Sequence, residues 1–451
     1  MDKKISLSSQ VAIGVMLFAL FFGAGNLIFP AEVGQESGTS LTPALIGLLI
    51  TATGLPLLGV LAIAYSGSKD LQDLSSRIHP IYAIFFTSLL YLTIGPFFAS
   101  PRTATVAYEI GFSSYIGEEN QQIGLFIFSL LFFIITLLFS LKPGKIVDNV
   151  GKILAPGIVI LLGIFLTAVI INPMGAMEAP IDGYEDGAFF QGFVEGYNTM
   201  DALASLVFAM IVIKAIRSMG VTSKQGILRA AGKSGLVAVL LLALIYIGIA
   251  YLGATSTEVF GIFDNGGPVL SNGASHYFGA AGSVMMAIII TLACLTTAIG
   301  LTTGVAEYFH GLIPQIGYKA FAIFFAIITF IIANFGLNNI ITYAEPVLMF
   351  LYPLAIVLML LTFLSPLFHH ARMVYVATTV VTLFISIIDG AKSLAGVMEV
   401  DDFGWAKPII AFYENYLPMY AEGLGWLLPA LVVIIIFGAI ARFKTPDTAE
   451  A

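Results

Sequence analysis

The sequence predicts an all-α polytopic membrane protein of twelve transmembrane helices, built as two inverted five-helix repeats in which the first and sixth helices are discontinuous. Composition is the first reason. The chain is 451 residues long, 59% hydrophobic and 10% charged, with a mean hydropathy of +0.98. A soluble domain carries about 25% charge, so a water-soluble fold is excluded. The second reason is the repeated return of apolar stretches of bilayer length. The third is that two of these stretches, five apart in order, are interrupted halfway by glycine and polar residues.

The apolar stretches fall at 11–30, 42–65, 82–110, 123–141, 151–171, 192–213, 234–254, 280–306, 319–336, 339–363, 373–390 and 424–442. No charged or Ser/Pro-rich linker divides the chain, so residues 1–451 form one transporter-like domain. The repeats would cover 11–171 and 192–363, with two added helices in 373–442. Lys3 and Lys4 ahead of an apolar run resemble a secretory signal, but no small-residue cleavage pattern follows. The run is therefore expected to stay as the first span.

Basic residues set the orientation. Sixteen of the 19 lie at segment ends on the N-terminal side, Lys69, Arg77, Lys142, Lys214 and Arg372 among them. Lys392 and Lys407 lie on the other side, and Arg102 is inside the third span. Both termini are expected in the cytoplasm. The outer segments are acidic instead, from Glu32 and Glu36 to Glu258 and Asp264.

The first span reads FALFFGAGNLIFP over 18–30, with Gly23, Ala24, Gly25 and Asn26 at its centre. Glycine costs about 1 kcal/mol against alanine inside a helix, and asparagine competes for backbone hydrogen bonds, so a helix opens here. Open peptide groups in hydrocarbon cost several kcal/mol each unless something satisfies them. A small-residue packing patch is the alternative, but packing alone does not call for Asn26. Span 6 carries the counterpart in Gly196, Tyr197, Asn198, Thr199, Met200 and Asp201. The start of a half-helix offers N–H groups to a carboxylate, and the end of one offers carbonyls to an ammonium or a cation. A zwitterion with a cation beside it fits that pair.

Ionisable groups at membrane depth are functional candidates. Asp201 is positioned for an amine or a proton. Arg102 and Glu109, seven apart, share a helix face in a span kinked by Pro96 and Pro101. A structural ion pair near the outer end is the other reading of Arg102. Tyr91 is a candidate for lining the site, against the common fate of a packed tyrosine with its hydroxyl satisfied. In span 8, Thr296, Thr297, Thr302 and Thr303 offer hydroxyls that suit a hard cation. On their own, such threonines more often bond the carbonyl one turn back.

Other chemistry is missing from the sequence. The lone Cys294 has no partner, the five histidines lack metal-ligand spacing, and no phosphate loop, zinc pattern or nucleophile elbow occurs. The chain is not expected to be an enzyme, to hold a cofactor or to bind nucleic acid. A channel would need a continuous polar lining, whereas these polar residues gather at mid-span. A membrane enzyme would need a catalytic pair, and only Asp201 with Arg102 could supply one.

Five segments carry a resemblance: FALFFGAGNLIFP, SPRTATVAYEIG at 100–111, KPGKIVDNVGKILAP at 142–156, GFVEGYNTMDALASLVFAMIV at 192–212 and ACLTTAIGLTTGVAEYF at 293–309. Together they resemble the bacterial branched-chain amino acid:cation symporter family, and that family is similar to the amino acid–polyamine–cation superfamily with its LeuT-type fold. The resemblance implies a symporter of the bacterial inner membrane, importing leucine, isoleucine and valine with Na+ or H+ by alternating access. Cation-coupled transport of other small neutral amino acids is the alternative. Substrate, Na+ and membrane lipid are the implied partners. It further implies one sodium site, from the carbonyls of Ala19, Phe22 and Ala293 and the hydroxyls of Thr296 and Thr297. The substrate would lie against Gly23, Ala24, Gly25, Asn26, Tyr91, Tyr197, Asn198, Thr199 and Asp201.

Overall fold

The computed structural model describes residues 6–141, 146–400 and 403–444, without the side chains of 146–155 and of 444. Lys3, Lys4 and residues 142–145 of the 142–156 motif, with Lys142 and Lys145, therefore lie outside the described residues. Among those described there is no strand. The helices in order are α1 (Leu7–Phe21), α2 (Gly25–Ser37), α3 (Leu41–Leu49), α4 (Leu55–Ser66), α5 (Leu71–Ser75), α6 (Pro80–Leu92), α7 (Ala99–Gly111), α8 (Gln121–Ser140) and α9 (Ile146–Ile171). They continue as α10 (Tyr184–Glu195), α11 (Asp201–Ser218), α12 (Lys224–Phe260), α13 (Gly267–Leu312), α14 (Tyr318–Ala333), α15 (Leu337–Leu364), α16 (Arg372–Val397), α17 (Lys407–Tyr416) and α18 (Leu427–Lys444).

Among the described residues, seven helical stretches are long and apolar enough to cross a membrane, or eight with the bent pair Tyr184–Thr199 and Asp201–Ser218. The other expected spans correspond to four shorter apolar helices, Leu7–Phe21, Pro156–Ile171, Tyr318–Ala333 and Leu427–Phe443. The chain is an integral membrane protein; length and apolarity alone support fewer spans than the twelve expected.

Glycine contacts trace the path of the chain. A Cβ on Gly14 would meet the Ser234 carbonyl at 2.7 Å, whereas one on Gly34 would meet the Ala250 carbonyl at 2.0 Å. Further on, the Leu57 side chain lies against Gly235. The chain thus climbs α12 along α1 and α2, reverses, and descends along α3 and α4. Gly38, at φ +45°, makes the reversal, and the Glu178 carbonyl closes over it by accepting the Thr39 N–H at 2.9 Å.

The two broken helices exchange partners. Both halves of the first, α1 and α2, lie along α12; both halves of the second, α10 and α11, lie along α3 and α4. Backbones touch through reciprocal glycines: Gly34 against Ala250 with Gly253 against Ala31, and Gly47 against Phe189 with Gly192 against Ala44. Without a hydrophobic drive between helices in lipid, such close approach is what holds them together.

Several boundaries differ from expectation. Pro30 does not end the first span, because α2 runs on to Ser37. Glu32 and Glu36 consequently sit on a helix rather than in an outer loop. Proline lacks an N–H and the Asn26 carbonyl one turn earlier loses its helical partner, but α2 is packed among α12, α10 and α7 and survives this. Span 6 begins at Tyr184, eight residues earlier than its apolar run. Span 8 is preceded by a polar helical arm from Gly267, joined at Gly279 with φ +58°. Span 3 is interrupted at Gly95–Pro96, as its prolines suggested.

Candidate functional site

The first helix opens where its glycines lie. Helix α1 ends at Phe21, Phe22 is extended at ψ 98°, and α2 restarts at Gly25 with no side-chain cap from Ala24. Asn26 ties the gap together by accepting the Gly23 N–H on Oδ1 at 2.8 Å. The N–H groups of Ala24, Gly25 and Asn26 donate to no other backbone carbonyl or side chain among the described residues. A helix start with open N–H groups carries partial positive charge.

The second opening is built differently. Helix α10 tightens into a 3-10 turn over Gly196–Thr199, Met200 takes a left-handed conformation at φ +60°, and α11 starts at Asp201. A residue other than glycine is strained there, so the surrounding structure holds this bend, which measures 45°. Asp201 is 4% exposed. Its Oδ2 accepts from Asn26 Nδ2 and, at 3.0 Å, from the Tyr246 hydroxyl. Asn26 Nδ2 also contacts the Tyr246 hydroxyl. One amide therefore clamps both breaks to each other and to α12.

Gly25 is where the two openings meet. A Cβ there would lie 2.7 Å from Arg102 Nη2 and 3.2 Å from Thr199 Cα. Only glycine allows that approach. Arg102, on α7, is 2% exposed and lies with its Cζ 4.8 Å from the centre of the Phe29 ring. Among the described residues it forms no ion pair, so the reading of Arg102 as half of a structural salt bridge is set aside. Glu109, on the same helix, accepts instead from Asn265 at 2.8 Å.

The proposed cation ligands lie where α1 ends against α13. Thr297 donates to the Phe22 carbonyl at 3.2 Å, and Thr296 donates to the Ala293 carbonyl at 2.8 Å. Thr297 thus reaches across to the broken helix, while Thr296 makes the local bond usual for membrane threonines. Ala19 lies in the last turn of α1, three residues before the extended Phe22. Among the described residues no cluster of three or more His, Cys, Asp or Glu could hold a metal. The oxygens at hand are carbonyls and hydroxyls, suited to a hard monovalent ion.

A cavity of about 30 Å³ lies between the breaks, lined by Gly23 to Asn26, Arg102, Thr199 to Asp201 and Thr297, with Leu20, Ile94, Phe208 and Leu301 as apolar wall. It takes a water-sized molecule and not an amino acid. A much larger cavity of about 1410 Å³ adjoins it, lined among others by Ser8, Asp70 and Lys214. Leu20 and Phe208 line both. The far side is closed by Gly266 against Ile28 and by Asn265, which also donates to Asn338 at 2.9 Å.

Not every expected residue reaches the small cavity. Tyr91 lines the large one, stacked on Tyr308 at 4.3 Å. Tyr197 is packed on Tyr352 at 4.1 Å, and Asn198 donates to Glu195 at 2.8 Å; neither lines the cavity. Tyr246 was missed. A tyrosine in the middle of an apolar span needs a hydroxyl partner, and that was the available signal. Phe208 gave none beyond hydrophobicity.

From residue 6 to residue 444 the chain matches the family model described as branched-chain amino acid transport protein. The chain belongs to this family. It is 42% identical to the branched-chain amino acid permease BrnQ of Bacillus subtilis over 445 residues, 99% of each chain. Among solved structures it is similar to the Eremococcus coleocola manganese transporter, at TM-score 0.60 and 13% identity over 98% of both chains. It is likewise similar to MhsT in complex with L-phenylalanine, at TM-score 0.55 and 15% identity over 98% of this chain and 100% of that one. The fold of this family member is therefore the LeuT-type transporter bundle, and the protein is a transporter rather than an enzyme.

Proposed function

We propose that the chain is a secondary symporter of the bacterial inner membrane that imports leucine, isoleucine and valine together with Na+, by alternating access. The end-to-end similarity to branched-chain amino acid permeases carries the substrate class. The pairing of the two breaks around one cavity supports the mechanism: the open N–H groups of α2 and the carboxylate of Asp201 belong to one lining. The substrate carboxylate would meet the first turn of α2. Its ammonium would meet the carbonyls near Phe21 and the Thr199–Asp201 turn, and its branched side chain the wall of Ile94, Phe208 and Leu301.

Na+ would take the carbonyls of Ala19, Phe22 and Ala293 with the hydroxyls of Thr296 and Thr297. The Phe22 and Thr297 oxygens are 3.2 Å apart. That separation suits neighbouring ligands of one cation at metal–oxygen distances of about 2.3–2.6 Å. Binding would draw α1 to α13 and set the start of α2, so cation and substrate would tighten each other by one common factor.

In this reading the 1410 Å³ cavity is the cytoplasmic vestibule and the termini are cytoplasmic. The 30 Å³ space must widen by movement of Leu20 and Phe208 before an amino acid is accommodated. The two repeats would be 11–171 and 192–363, with 373–442 added outside them; the exchange of partners between the broken helices is the packing such symmetry produces.

Labelled leucine uptake into proteoliposomes tests the reading. An inward Na+ gradient should drive accumulation that isoleucine and valine inhibit with similar potency, since an apolar pocket separates them by only about 1–3 kcal/mol. Uptake no faster than in protein-free liposomes under any gradient would overturn it. Uptake driven by a pH gradient and indifferent to Na+ would overturn the sodium assignment alone.

A further inference from the structure

Arg102 is the least satisfied charged group of the described interior. Its Nε and Nη1 are buried and have no hydrogen-bond partner among the described residues. Its Nη2 lies at Gly25, beside the open N–H groups of α2. The carboxylate of Asp201 accepts from Asn26 and Tyr246 on Oδ2 and not from Arg102. The carboxylates of Asp201 and Glu195 act on the guanidinium through space without bonding it. The donors are thus left open. A buried donor without a partner costs about 1–3 kcal/mol, more when charged, so these donors call for an acceptor.

The shape of the open site defines what fills it. A guanidinium is a planar fork matched to two oxygens in one plane, and the start of α2 adds N–H groups and partial positive charge from the other side. Asp201 lines the same cavity and offers a carboxylate to a positive group on the same molecule. We propose that Arg102 binds the α-carboxylate of the transported amino acid and is the residue that selects α-amino acids over amines of the same side chain. This inference rests on the amino acid carrier reading above. An inorganic anion such as chloride could satisfy the same donors, and the test separates the two.

The measurement is ligand-induced thermal stabilisation of purified protein, which reports apparent affinity without requiring transport. Wild type, Arg102→Lys and Arg102→Gln are each titrated with leucine and with leucinamide, whose uncharged amide replaces the carboxylate, in chloride and in gluconate buffers. Wild type should prefer leucine strongly. Arg102→Gln should lose at least about tenfold in leucine affinity, the worth of hydrogen bonds to a charged group, while leucinamide changes by less than about threefold. Arg102→Lys, which keeps the charge and loses the fork, should fall between; it carries the test if the glutamine variant is not monodisperse. Unchanged preference for leucine in the variants overturns the role of Arg102, and so does a leucine affinity in wild type that follows chloride rather than the Arg102 substitution. Wild type that neither binds nor transports leucine would instead overturn the carrier reading itself.

Discussion

The two breaks lie at matching places in the chain and do opposite things. The first is made of small residues, Gly23, Ala24 and Gly25, and leaves bare N–H groups beside a guanidinium. The second is made of large ones, with Met200 forced to φ +60°, and leaves a carboxylate at the head of α11. One opening attracts negative charge and the other positive. Glycine alone marks where a helix can open; the side chains around the opening decide what it binds.

Changes that erase this opposition should have the largest effects. Asp201→Asn keeps shape and removes charge, and should raise the leucine concentration for half-maximal uptake by about 10- to 150-fold, the worth of a hydrogen bond to a charged group. Equal uptake by this variant would show that the second break does not hold the ammonium. Gly25→Ala pushes a methyl at Arg102 and at the Thr199 backbone, and overpacking of that kind costs about 1–3 kcal/mol, or five- to 150-fold in apparent affinity. Normal uptake here would mean that the two breaks need not approach. Thr297→Ala should weaken the apparent Na+ affinity by about two- to tenfold and leave expression unchanged, since it deletes one hydroxyl ligand worth roughly 0.5–1.5 kcal/mol. Leucine transport with unchanged Na+ affinity would remove Thr297 from the ligand set. Tyr246→Phe, which drops one bond to Asp201 and keeps the ring, should cost about threefold in leucine affinity. A loss as large as that of Asp201→Asn would make Tyr246 a direct substrate ligand.

Hydropathy made the helical membrane fold legible, and the glycines at 23 and 25 located the first break. Met200 and Thr199 located the second only through their polar surroundings. Contacts between distant segments were hidden. Asn26 and Asp201 are 175 residues apart and Asn26 and Tyr246 are 220 apart, so no local pattern announces their clamp. The same blindness put Tyr91 and Tyr197 in the site. Both are tyrosines of the right spans, but each is stacked on a ring from another helix, Tyr308 and Tyr352. Pro30 misled for a local reason: it stops an isolated helix, but α2 is packed on several sides and continues past it. Arg102 is visible as a charge in an apolar span, and only the packing shows that its buried Nε and Nη1 bond no acceptor among the described residues.

An experimental structure with leucine bound tests the central claim most directly. The account predicts leucine between the first turn of α2 and the Thr199–Asp201 turn, with Leu20 and Phe208 displaced towards the large cavity to admit it. Leucine lodged by Tyr91 and Tyr308, with the gap between the two breaks still too small for an amino acid, would contradict it.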